Sequence, residues 1–321
     1  MRNPLLFLIL FLFTPPLHAF TCSQVTEIPQ LECQALQALY DNTQGNQWTN
    51  HEGWLIDTAP SQWYGVTVQA GHVTSLGLSQ NNLVGSLPEA FCELTHLQGL
   101  NLGHNQLSGA VPACFANFTS ITHLFLNNNE LQWSEPSTLC ALSQLEYLEL
   151  SDNPQLMTAL PDCLHQLTVL SSLNLRANGL GGAIPEALCQ LSNLQALKIQ
   201  SNQFTGPIPA CLGNLSALET LWLYNNQLTG TIPTELCQLT SLQHLGLARN
   251  QLTGEIPACL GEQLAALKIL YLSYNKLNGT LPSSLGQLSQ LQQLYVDNNT
   301  ISGPFPQPVI DLALNDGSSL I

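Results

Sequence analysis

Ten asparagines recur along the chain at intervals of 24 or 25 residues. They are Asn81, Asn105, Asn129, Asn153, Asn178, Asn202, Asn226, Asn250, Asn275 and Asn299. A fixed period of this length is typical of one short structural unit stacked many times, in which each unit buries its apolar side chains against its neighbours. The spacing therefore predicts a repeat protein with one continuous core. It also indicates that a binding function would use a surface shared by several units.

Each unit carries the same pattern of apolar residues around its asparagine. Residues 216–239, SALETLWLYNNQLTGTIPTELCQL, show the pattern most clearly. Leu221 and Leu223 alternate with outward residues, which predicts a short strand with both leucines inward. Asn226 follows the strand, where its side chain is expected to bond buried backbone groups and to form a ladder with its equivalents. Pro233 lacks an N–H donor, which excludes a long helix and favours a short 3₁₀-like turn.

The unit resembles the plant-type subclass of leucine-rich repeats, which is marked by a Gly-x-Ile-Pro or Gly-x-Leu-Pro segment. That segment occurs as GSLP at 85–88, GAIP at 182–185, GPIP at 206–209, GTIP at 230–233, GEIP at 254–257 and GTLP at 279–282. The resemblance implies an α/β solenoid: a right-handed superhelix of ten repeats with a parallel sheet on the concave face and short 3₁₀ or irregular turns on the convex face. Receptor-like ectodomains and polygalacturonase-inhibitor-like proteins are similar to it.

Units three and four depart from this pattern. Trp133 stands where the glycine of unit three belongs, and unit four has one extra residue between Asn153 and Leu160. We expect a local distortion of the solenoid at this point. It is either a recognition feature or the result of sequence drift.

The chain divides into four segments. Residues 1–19 are expected to be a secretory signal, because Arg2 precedes an apolar run shorter than the roughly 20 residues of a membrane span, and residues 17–19 fit a cleavage site. An uncleaved membrane anchor is the alternative. Residues 20–70 resemble the N-terminal cap of the family and residues 71–312 hold the ten repeats. Residues 313–321 form a C-terminal tail that is expected to fray or to cover the last turn, and they do not resemble a glycolipid-anchor signal.

Both ends of the solenoid carry features expected of caps. Leu36 and Leu39 suit a short helix in the N-terminal cap. The plant-type cap usually has a cysteine at the position of Val68, so Cys22 is expected to pair with Cys33 instead. At the other end Pro304, Pro306 and Pro308 are expected to prevent a further strand from joining the sheet.

Eight further cysteines fall one per unit in units one to eight. They follow the proline of the unit by four residues in odd units and by two in even units. In a secreted chain this alternation predicts disulfides between partly exposed cysteines that meet across the convex turns. One register uses every cysteine, whereas the opposite one leaves Cys92 and Cys259 unpaired. The predicted bonds are Cys92–Cys114, Cys140–Cys163, Cys189–Cys211 and Cys237–Cys259. A metal site is the weaker alternative, since the cysteines are spread along the chain.

The charge balance limits the class of partner. Without residues 1–19 the chain has five basic residues against 21 acidic ones. Such a chain repels nucleic acid and anionic lipid, and it favours neutral or basic partners. The simpler interpretation is that the charge keeps a leucine-rich rod in solution. We expect a secreted protein, extracellular or at the cell surface, or periplasmic if the host is a bacterium, with no membrane span in the mature chain.

The residue between the two inward leucines of each strand points out of the concave face. This central column is Gly77, Asn101, Phe125, Glu149, Asn174, Lys198, Trp222, Gly246, Tyr271 and Tyr295. Aromatic residues and arginine, which are typical interface anchors, gather on and beside the column in units seven to ten. This predicted ligand-binding set is Trp222, Tyr224, Arg249, Tyr271, Tyr274 and Tyr295. A secondary patch in units three and four is His123, Phe125, Tyr147, Glu149 and Asp152. The simpler interpretation is that strands favour aromatic residues.

The five basic residues are expected on or beside the same strand face, which would make the concave face acidic near its start and basic near its end. They are Arg176, Lys198, Arg249, Lys268 and Lys276. Four Asn-x-Ser/Thr sequons also occur, and they bear glycans only if the host glycosylates secreted proteins. They are Asn117, Asn214, Asn278 and Asn298.

The sequence contains no catalytic motif, and we expect no catalytic residue, no metal and no cofactor. His51, His72, His96 and His165 fall in caps or turns. The leading hypothesis is a non-enzymatic recognition protein that binds a protein or peptide through its concave face, inhibitor-like or receptor-ectodomain-like. The alternative is a structural or adhesive surface protein that binds glycans or matrix.

Overall fold

A computed structural model describes residues 20–316 and 319–320, with side chains described up to residue 311. The expected secretory signal, residues 1–19, lies outside the described residues. The described chain forms the predicted solenoid, in which each of the ten units contributes one strand to a long sheet and each of units one to nine contributes one short helical turn to the opposite face.

The strands within the described residues are short and are numbered in chain order. They are β1 Val66–Gln69, β2 His72–Gly77, β3 Val84–Gly85, β4 Gly99–Asn101, β5 Gln106–Ala110, β6 His123–Phe125, β7 Glu130–Gln132, β8 Tyr147–Glu149, β9 Ser172–Asn174, β10 Gly181–Ala183, β11 Ala196–Lys198, β12 Gln203–Pro207, β13 Thr220–Trp222, β14 Gln227–Thr229, β15 His244–Gly246, β16 Thr253–Glu255, β17 Ile269–Tyr271, β18 Lys276–Asn278, β19 Gln293–Tyr295 and β20 Ser319–Leu320.

Twelve of these strands form one sheet in the order β1-β2-β4-β6-β8-β9-β11-β13-β15-β17-β19-β20. Strand β1 belongs to the cap and pairs in an antiparallel manner with β2, the strand of unit one, and the other neighbours are parallel. Equivalent residues of consecutive units lie opposite each other, as Leu197 and Leu221 do. The remaining strands form smaller sheets along one flank, in the orders β3-β5-β7, β10-β12-β14 and β16-β18.

The convex side consists of short helical turns, as predicted from the proline in each unit. The 3₁₀ turns of the repeats are Glu89–Glu93, Ala113–Asn117, Pro136–Ala141, Asp162–Gln166, Glu186–Gln190, Ala210–Asn214, Thr234–Gln238 and Ser283–Gln287. Three further 3₁₀ turns lie in the cap, at Cys22–Gln24, Gly45–Gln47 and Pro60–Gln62. Unit eight instead has a short α-helix, Cys259–Gln263, because its asparagine interval contains one more residue.

The asparagines form the expected ladder through the core. Asn226 donates from Nδ2 to the carbonyls of Leu223 in its own unit (3.0 Å) and Ile199 in the preceding one (3.1 Å). Its Oδ1 accepts from the N–H of Phe204 at 3.0 Å. One side chain therefore satisfies buried backbone groups of two units, which otherwise would be costly to desolvate.

The N-terminal cap contains the predicted helix, α1, Gln30–Asn42. Its Leu36 and Leu39 are fully buried. Three tryptophans pack beneath it: the ring centroids of Trp48 and Trp54 lie 4.8 Å apart, and those of Trp54 and Trp63 lie 5.1 Å apart. This aromatic cluster covers the first repeat and closes that end of the core.

The expectation that the prolines prevent a further strand from joining the sheet was wrong. The chain after the prolines forms a helix, Gln307–Asp316, which contains the 312/313 boundary drawn from the sequence, and then β20 pairs in parallel with β19. Proline is tolerated in the first helical turn, where the missing N–H would have no partner within the helix. Pro308 occupies that first turn, so the prolines direct the chain into a helix that returns it to the sheet.

Units three and four accommodate their departures from the repeat pattern in different ways. Trp133 is buried, packs edge-on against Phe115 at 6.2 Å and donates from Nε1 to Thr138 Oγ1 at 2.8 Å. It therefore fills the core, and β7 is kept. In unit four the described residues contain no flank strand between Asn153 and Leu160, so the distortion predicted from the extra residue lies there.

All five predicted disulfides are present: Cys22–Cys33, Cys92–Cys114, Cys140–Cys163, Cys189–Cys211 and Cys237–Cys259. The bonds across the convex turns join units one to two, three to four, five to six and seven to eight. The prediction that these cysteines are partly exposed was wrong for Cys140 and Cys237, which are buried. Their partners Cys163 and Cys259 lie nearer the solvent and cover them.

Replacing both Cys237 and Cys259 by serine is expected to lower the free energy of unfolding of units seven and eight by about 3 kcal/mol. The bond closes a loop across 22 residues of sequence, and its loss frees that loop in the unfolded chain. Hydrogen exchange resolved by repeat would measure the change. A reducing agent should remove the difference between the two proteins, and equal protection in oxidising buffer would contradict the prediction.

Candidate functional site

The strand register places the predicted concave column in one line. Lys198 lies opposite Trp222, Trp222 opposite Gly246, and Gly246 opposite Tyr271. Tyr271 in turn lies opposite Tyr295. Since side chains alternate across a strand and the flanking leucines are buried, this column points out of the sheet.

Four aromatic side chains in units seven to ten form a continuous surface, which we call the aromatic ridge: Tyr224, Trp222, Tyr271 and Tyr295. Ring centroids of Trp222 and Tyr224 lie 5.7 Å apart, edge to face. Trp222 and Tyr271 stack at 5.7 Å and 24°, and Tyr271 and Tyr295 lie 5.0 Å apart. All four rings are half-buried, so each contacts its neighbour and still presents an accessible face.

Gly246 makes the ridge continuous. It lies between Trp222 and Tyr271 in the column, and a Cβ there would overlap Cε3 and Cζ3 of the Trp222 indole. The indole lies over this glycine and so reaches Tyr271 two units away. Sequence reasoning noted Gly246 in the column and missed this role. The sequence feature that could have indicated this role is a glycine between two aromatic residues of the central column.

The polar edge of the ridge is also ordered. The Tyr271 hydroxyl donates to Gln293 Oε1. Burial raises the pKa of Tyr271, and the neighbouring Tyr295 and Tyr224 raise it further, so the phenol stays neutral at physiological pH. Beside the ridge, the guanidinium of Arg249 lies 4.3 Å from the ring centroid of Tyr274, which is 46% exposed. These two residues form a separate cation–π pair at the strand ends.

The secondary patch comes together in part. His123 stacks on Tyr147 at 4.7 Å and packs edge-on against Phe125 at 6.0 Å. Glu149 is engaged by hydrogen bonds, since its Oε2 accepts from Asn174 Nδ2 at 2.7 Å. Asp152 lies 3.7 Å from Arg176 Nη2. The two carboxylates are thus held by partners of their own.

The patch borders an open hollow of about 340 Å³ at the start of the concave face. Its lining includes the small residues Gly77 and Gly99 and the ring of Phe125. The basic residues follow the prediction except Lys276, which is exposed on β18 of the flank sheet. Its position after the asparagine puts it beyond the strand of the long sheet.

Models of two sequence families match this chain. The model of the leucine-rich repeat region family matches residues 126–255, and that of the leucine rich repeat family matches residues 71–131 and 256–301. Together with the parallel sheet of repeated units, these matches decide the family. The chain is a leucine-rich repeat protein.

Several solved structures similar to this leucine-rich repeat protein are ectodomains of plant receptors. The ectodomain of the membrane receptor kinase GASSHO1/SCHENGEN3 from Arabidopsis thaliana, in complex with CASPARIAN STRIP INTEGRITY FACTOR 2, is 36% identical with a TM-score of 0.82 and covers 89% of this chain. The Arabidopsis receptor kinase HAESA ectodomain, in complex with an IDA peptide hormone, is 33% identical with a TM-score of 0.77 and covers 86%. The match spans only 34% and 47% of those two chains.

A plant ice-binding protein is similar over nearly its whole length. It is 25% identical with a TM-score of 0.77, and the match covers 88% of this chain and 90% of that one. None of the curated proteins compared with the leucine-rich repeat protein matches it in sequence. Among its described residues, no helix has the length and apolar character needed to cross a membrane.

His244 extends the leucine-rich repeat protein's ridge and was missed by sequence reasoning. Its ring centroid lies 5.8 Å from that of Trp222, and it occupies the first position of β15. Burial lowers its pKa, Lys268 and Lys198 lower it further, and Glu219 opposes them. The ridge is therefore bordered by a neutral imidazole and two lysines.

We expect the imidazole of His244 to titrate below its ordinary pKa of 6.5. Below that pH the unfolded chain binds a proton that the folded chain still excludes, so this group's contribution to stability is present above pH 6.5 and is lost as the pH falls. An NMR titration of the ring Cε1–H would measure it. Lys268→Met should move the midpoint upward, and a wild-type midpoint above 6.5 would contradict the assignment.

Proposed function

We propose that this leucine-rich repeat protein is a secreted, non-enzymatic recognition protein that binds an extended segment of a peptide or protein ligand along the aromatic ridge. One observation carries the proposal: four aromatic side chains from units seven to ten contact one another in an unbroken line and keep accessible faces. Aromatic side chains of this kind supply a large contact area at low cost in conformational entropy.

The dimensions of the ridge fit an extended chain. It crosses four neighbouring strands of the sheet, and strands lie about 4.8 Å apart, so the ridge is about 14 Å long. An extended peptide advances about 3.3 Å per residue, so four or five ligand residues would lie along it. The length of the ridge therefore fits a short linear motif of a ligand rather than a whole folded domain.

The surrounding charges define the ligand further. The whole chain carries a formal net charge of −15, which favours a ligand that is neutral or basic overall. The ridge itself is bordered by Lys198, Lys268 and Arg249, which disfavour a basic side chain at the point of contact. The segment on the ridge is therefore apolar or neutral.

The similar ectodomains support a binding role, since those of GASSHO1/SCHENGEN3 and HAESA were solved with ligands, in the case of HAESA a peptide hormone. Their shared fold places repeated strand residues on one long face, as here. The disulfides support secretion, because such bonds persist in oxidising compartments.

Panning a random dodecapeptide display library on the folded protein tests the proposal. We expect enrichment of a short apolar motif, and loss of at least about 100-fold in affinity in the double variant Trp222→Ala/Tyr271→Ala, since truncation of each central aromatic costs about 2 kcal/mol or more. Tyr64→Ala is the matched control, because Tyr64 is a 40% exposed aromatic residue of the cap. No enrichment, or equal binding by all three proteins, would contradict the proposal. Capture by polysaccharide beads that needs the same two residues would instead favour the adhesive alternative.

A second candidate function, binding to ice, is favoured by the near full-length match to the plant ice-binding protein. Two neighbouring flank sheets of this chain present exposed threonines at the same position of three consecutive units: Thr205, Thr229 and Thr253. Inhibition of ice recrystallisation by the wild type, and its loss in Thr229→Lys, would support it. Activity unaffected by that change would exclude the threonine face as the binding surface.

A further inference from the structure

A buried carboxylate and two histidines meet where the N-terminal cap joins the first two repeats. Glu32 lies in the first turn of α1, His72 is the first residue of β2, and His96 lies in the turn before β4. The Nδ1 atom of His72 is 2.6 Å from Glu32 Oε1, and that of His96 is 3.8 Å from the same oxygen. The two imidazoles stack with ring centroids 3.7 Å apart, so both Nδ1 atoms face one carboxylate oxygen.

The carboxylate has no fixed positive partner in this part of the sequence. The Glu32 side chain is 4% exposed, and the chain contains no lysine or arginine between Arg2 and Arg176. A buried carboxylate needs positive charge and hydrogen bonds to offset its desolvation. One hydrogen bond comes from the backbone, since Glu32 Oε2 accepts from the N–H of Val73 at 2.8 Å. Its other polar contacts among the described residues are those with the two histidines.

We propose that Glu32, His72 and His96 form a binding site for a divalent first-row transition-metal ion, with Zn²⁺ as the best fit. Imidazole nitrogen and carboxylate oxygen are ligands that Zn²⁺ accepts, and one ligand atom from each of the three residues lies within 4.8 Å of the others. In tetrahedral zinc sites with bonds of about 2.0 to 2.1 Å, neighbouring ligand atoms are about 3.4 Å apart. The observed separations of 2.6 and 3.8 Å lie on either side of that distance.

The exposure of the three side chains suits entry of an ion from solvent. The side chains of His72 and His96 are 33% and 53% exposed, whereas Glu32 forms the floor. Small rotations of the two rings can lengthen the distance from His72 Nδ1 to Glu32 Oε1 and shorten the distance from His96 Nδ1 to the same oxygen. The Val73 N–H then remains to orient the carboxylate, as outer hydrogen bonds commonly do around metal ligands. Three protein ligands leave a fourth position for water.

The site would join three segments that are distant in sequence, since its ligands come from the cap and from units one and two. This site could not be predicted from the sequence, because the three residues are separated by 40 and 24 positions and lack a metal-binding motif. Another cluster, Glu89 with Cys92 and Cys114, does not qualify as a site, because both of its sulfurs are in a disulfide. A bound ion at Glu32 would fasten the cap to the solenoid at the end opposite the aromatic ridge.

Zinc titration of the tag-free, chelator-treated chain in competition with a chromophoric chelator tests the proposal. We expect one Zn²⁺ per chain, and a dissociation constant at least about 10-fold weaker in His96→Ala. His96 is half exposed, so this variant is expected to fold, which circular dichroism would check. His165→Ala is the matched control, since His165 lies in a convex turn of unit four, outside the cluster.

Two further readouts separate a built site from scattered surface binding. Saturating Zn²⁺ should raise the Tm of the wild type by about 3 °C and that of His96→Ala by less. With Cu²⁺ as the probe, electron paramagnetic resonance should show two coordinated nitrogens in the wild type and one in His96→Ala. Absence of saturable binding at micromolar protein, or binding that neither His72→Ala nor His96→Ala weakens, would overturn the proposal. The three residues would then be an ion-paired contact of the cap alone.

Discussion

Asn153→Ala should lower the free energy of unfolding by about 3 to 5 kcal/mol. The Asn153 side chain is fully buried. Its Nδ2 donates to the carbonyls of Leu126 and Leu150, each at 3.1 Å, and its Oδ1 accepts from the N–H of Leu131 at 3.1 Å. Alanine removes every one of these bonds and leaves the backbone groups of units three and four buried without partners, each at a cost of about 1 to 3 kcal/mol.

Denaturant unfolding of the two proteins, followed by circular dichroism, would measure this change. Asn193→Ala is the matched control, because Asn193 is an exposed asparagine whose Nδ2 makes one bond, to the Thr168 carbonyl at 2.8 Å. The control should change stability by less than about 0.5 kcal/mol. If Asn153→Ala resembled the control, the asparagine ladder would not be a main source of stability in this solenoid.

Gly261→Ala should destabilise the junction between units eight and nine by about 3 kcal/mol. Gly261 lies in α2, Cys259–Gln263, and a Cβ there would overlap the backbone carbonyl of Ser284 and the N–H of Leu285 in the next unit. Backbone cannot rotate away as a side chain can, so the two units would have to separate. No disulfide joins unit eight to unit nine among the described residues.

Repeat-resolved hydrogen exchange should show the loss of protection in units nine and ten first. Gly77→Ala is the matched control, since the nearest atom to a Cβ at that exposed strand position is the Gly65 carbonyl oxygen at 4.0 Å. Gly77→Ala should leave protection unchanged. Equal protection in Gly261→Ala would mean that the convex turns can shift by the width of a methyl group without loss.

Much of the fold follows from periodicity, because the pattern fixes which side of each strand a residue occupies. The inward leucines, the asparagine ladder and the concave column could be assigned from spacing alone. The disulfides followed as well, since the alternation of Cys189 and Cys211 is a property of register. The helix Gln307–Asp316 and strand β20 follow the last repeat, where no period predicts the structure.

The candidate sites could be predicted only in part from the repeat period. Spacing placed Trp222 and Tyr271 on one face, but their stacking across Gly246 depends on the rotamer of the indole, which spacing does not determine. His72 and His96 were assigned to turns by their positions, yet their meeting with Glu32 depends on how the cap helix docks. Contacts between a repeat and a non-repeating segment carry no periodic signal.

The junction between units four and five departs from the regular repeat in several ways. The flank sheets have no strand in unit four, and Nδ2 of the buried Asn178 has no hydrogen-bond partner among the described residues. No disulfide crosses from unit four to unit five among the described cysteines, as at every second junction of units one to eight. We expect the solenoid to bend more readily at this junction than at its other junctions, while the long sheet stays continuous through β8 and β9. Bending there would change the angle between the hollow near Phe125 and the aromatic ridge, and would set how large a ligand can touch both at once.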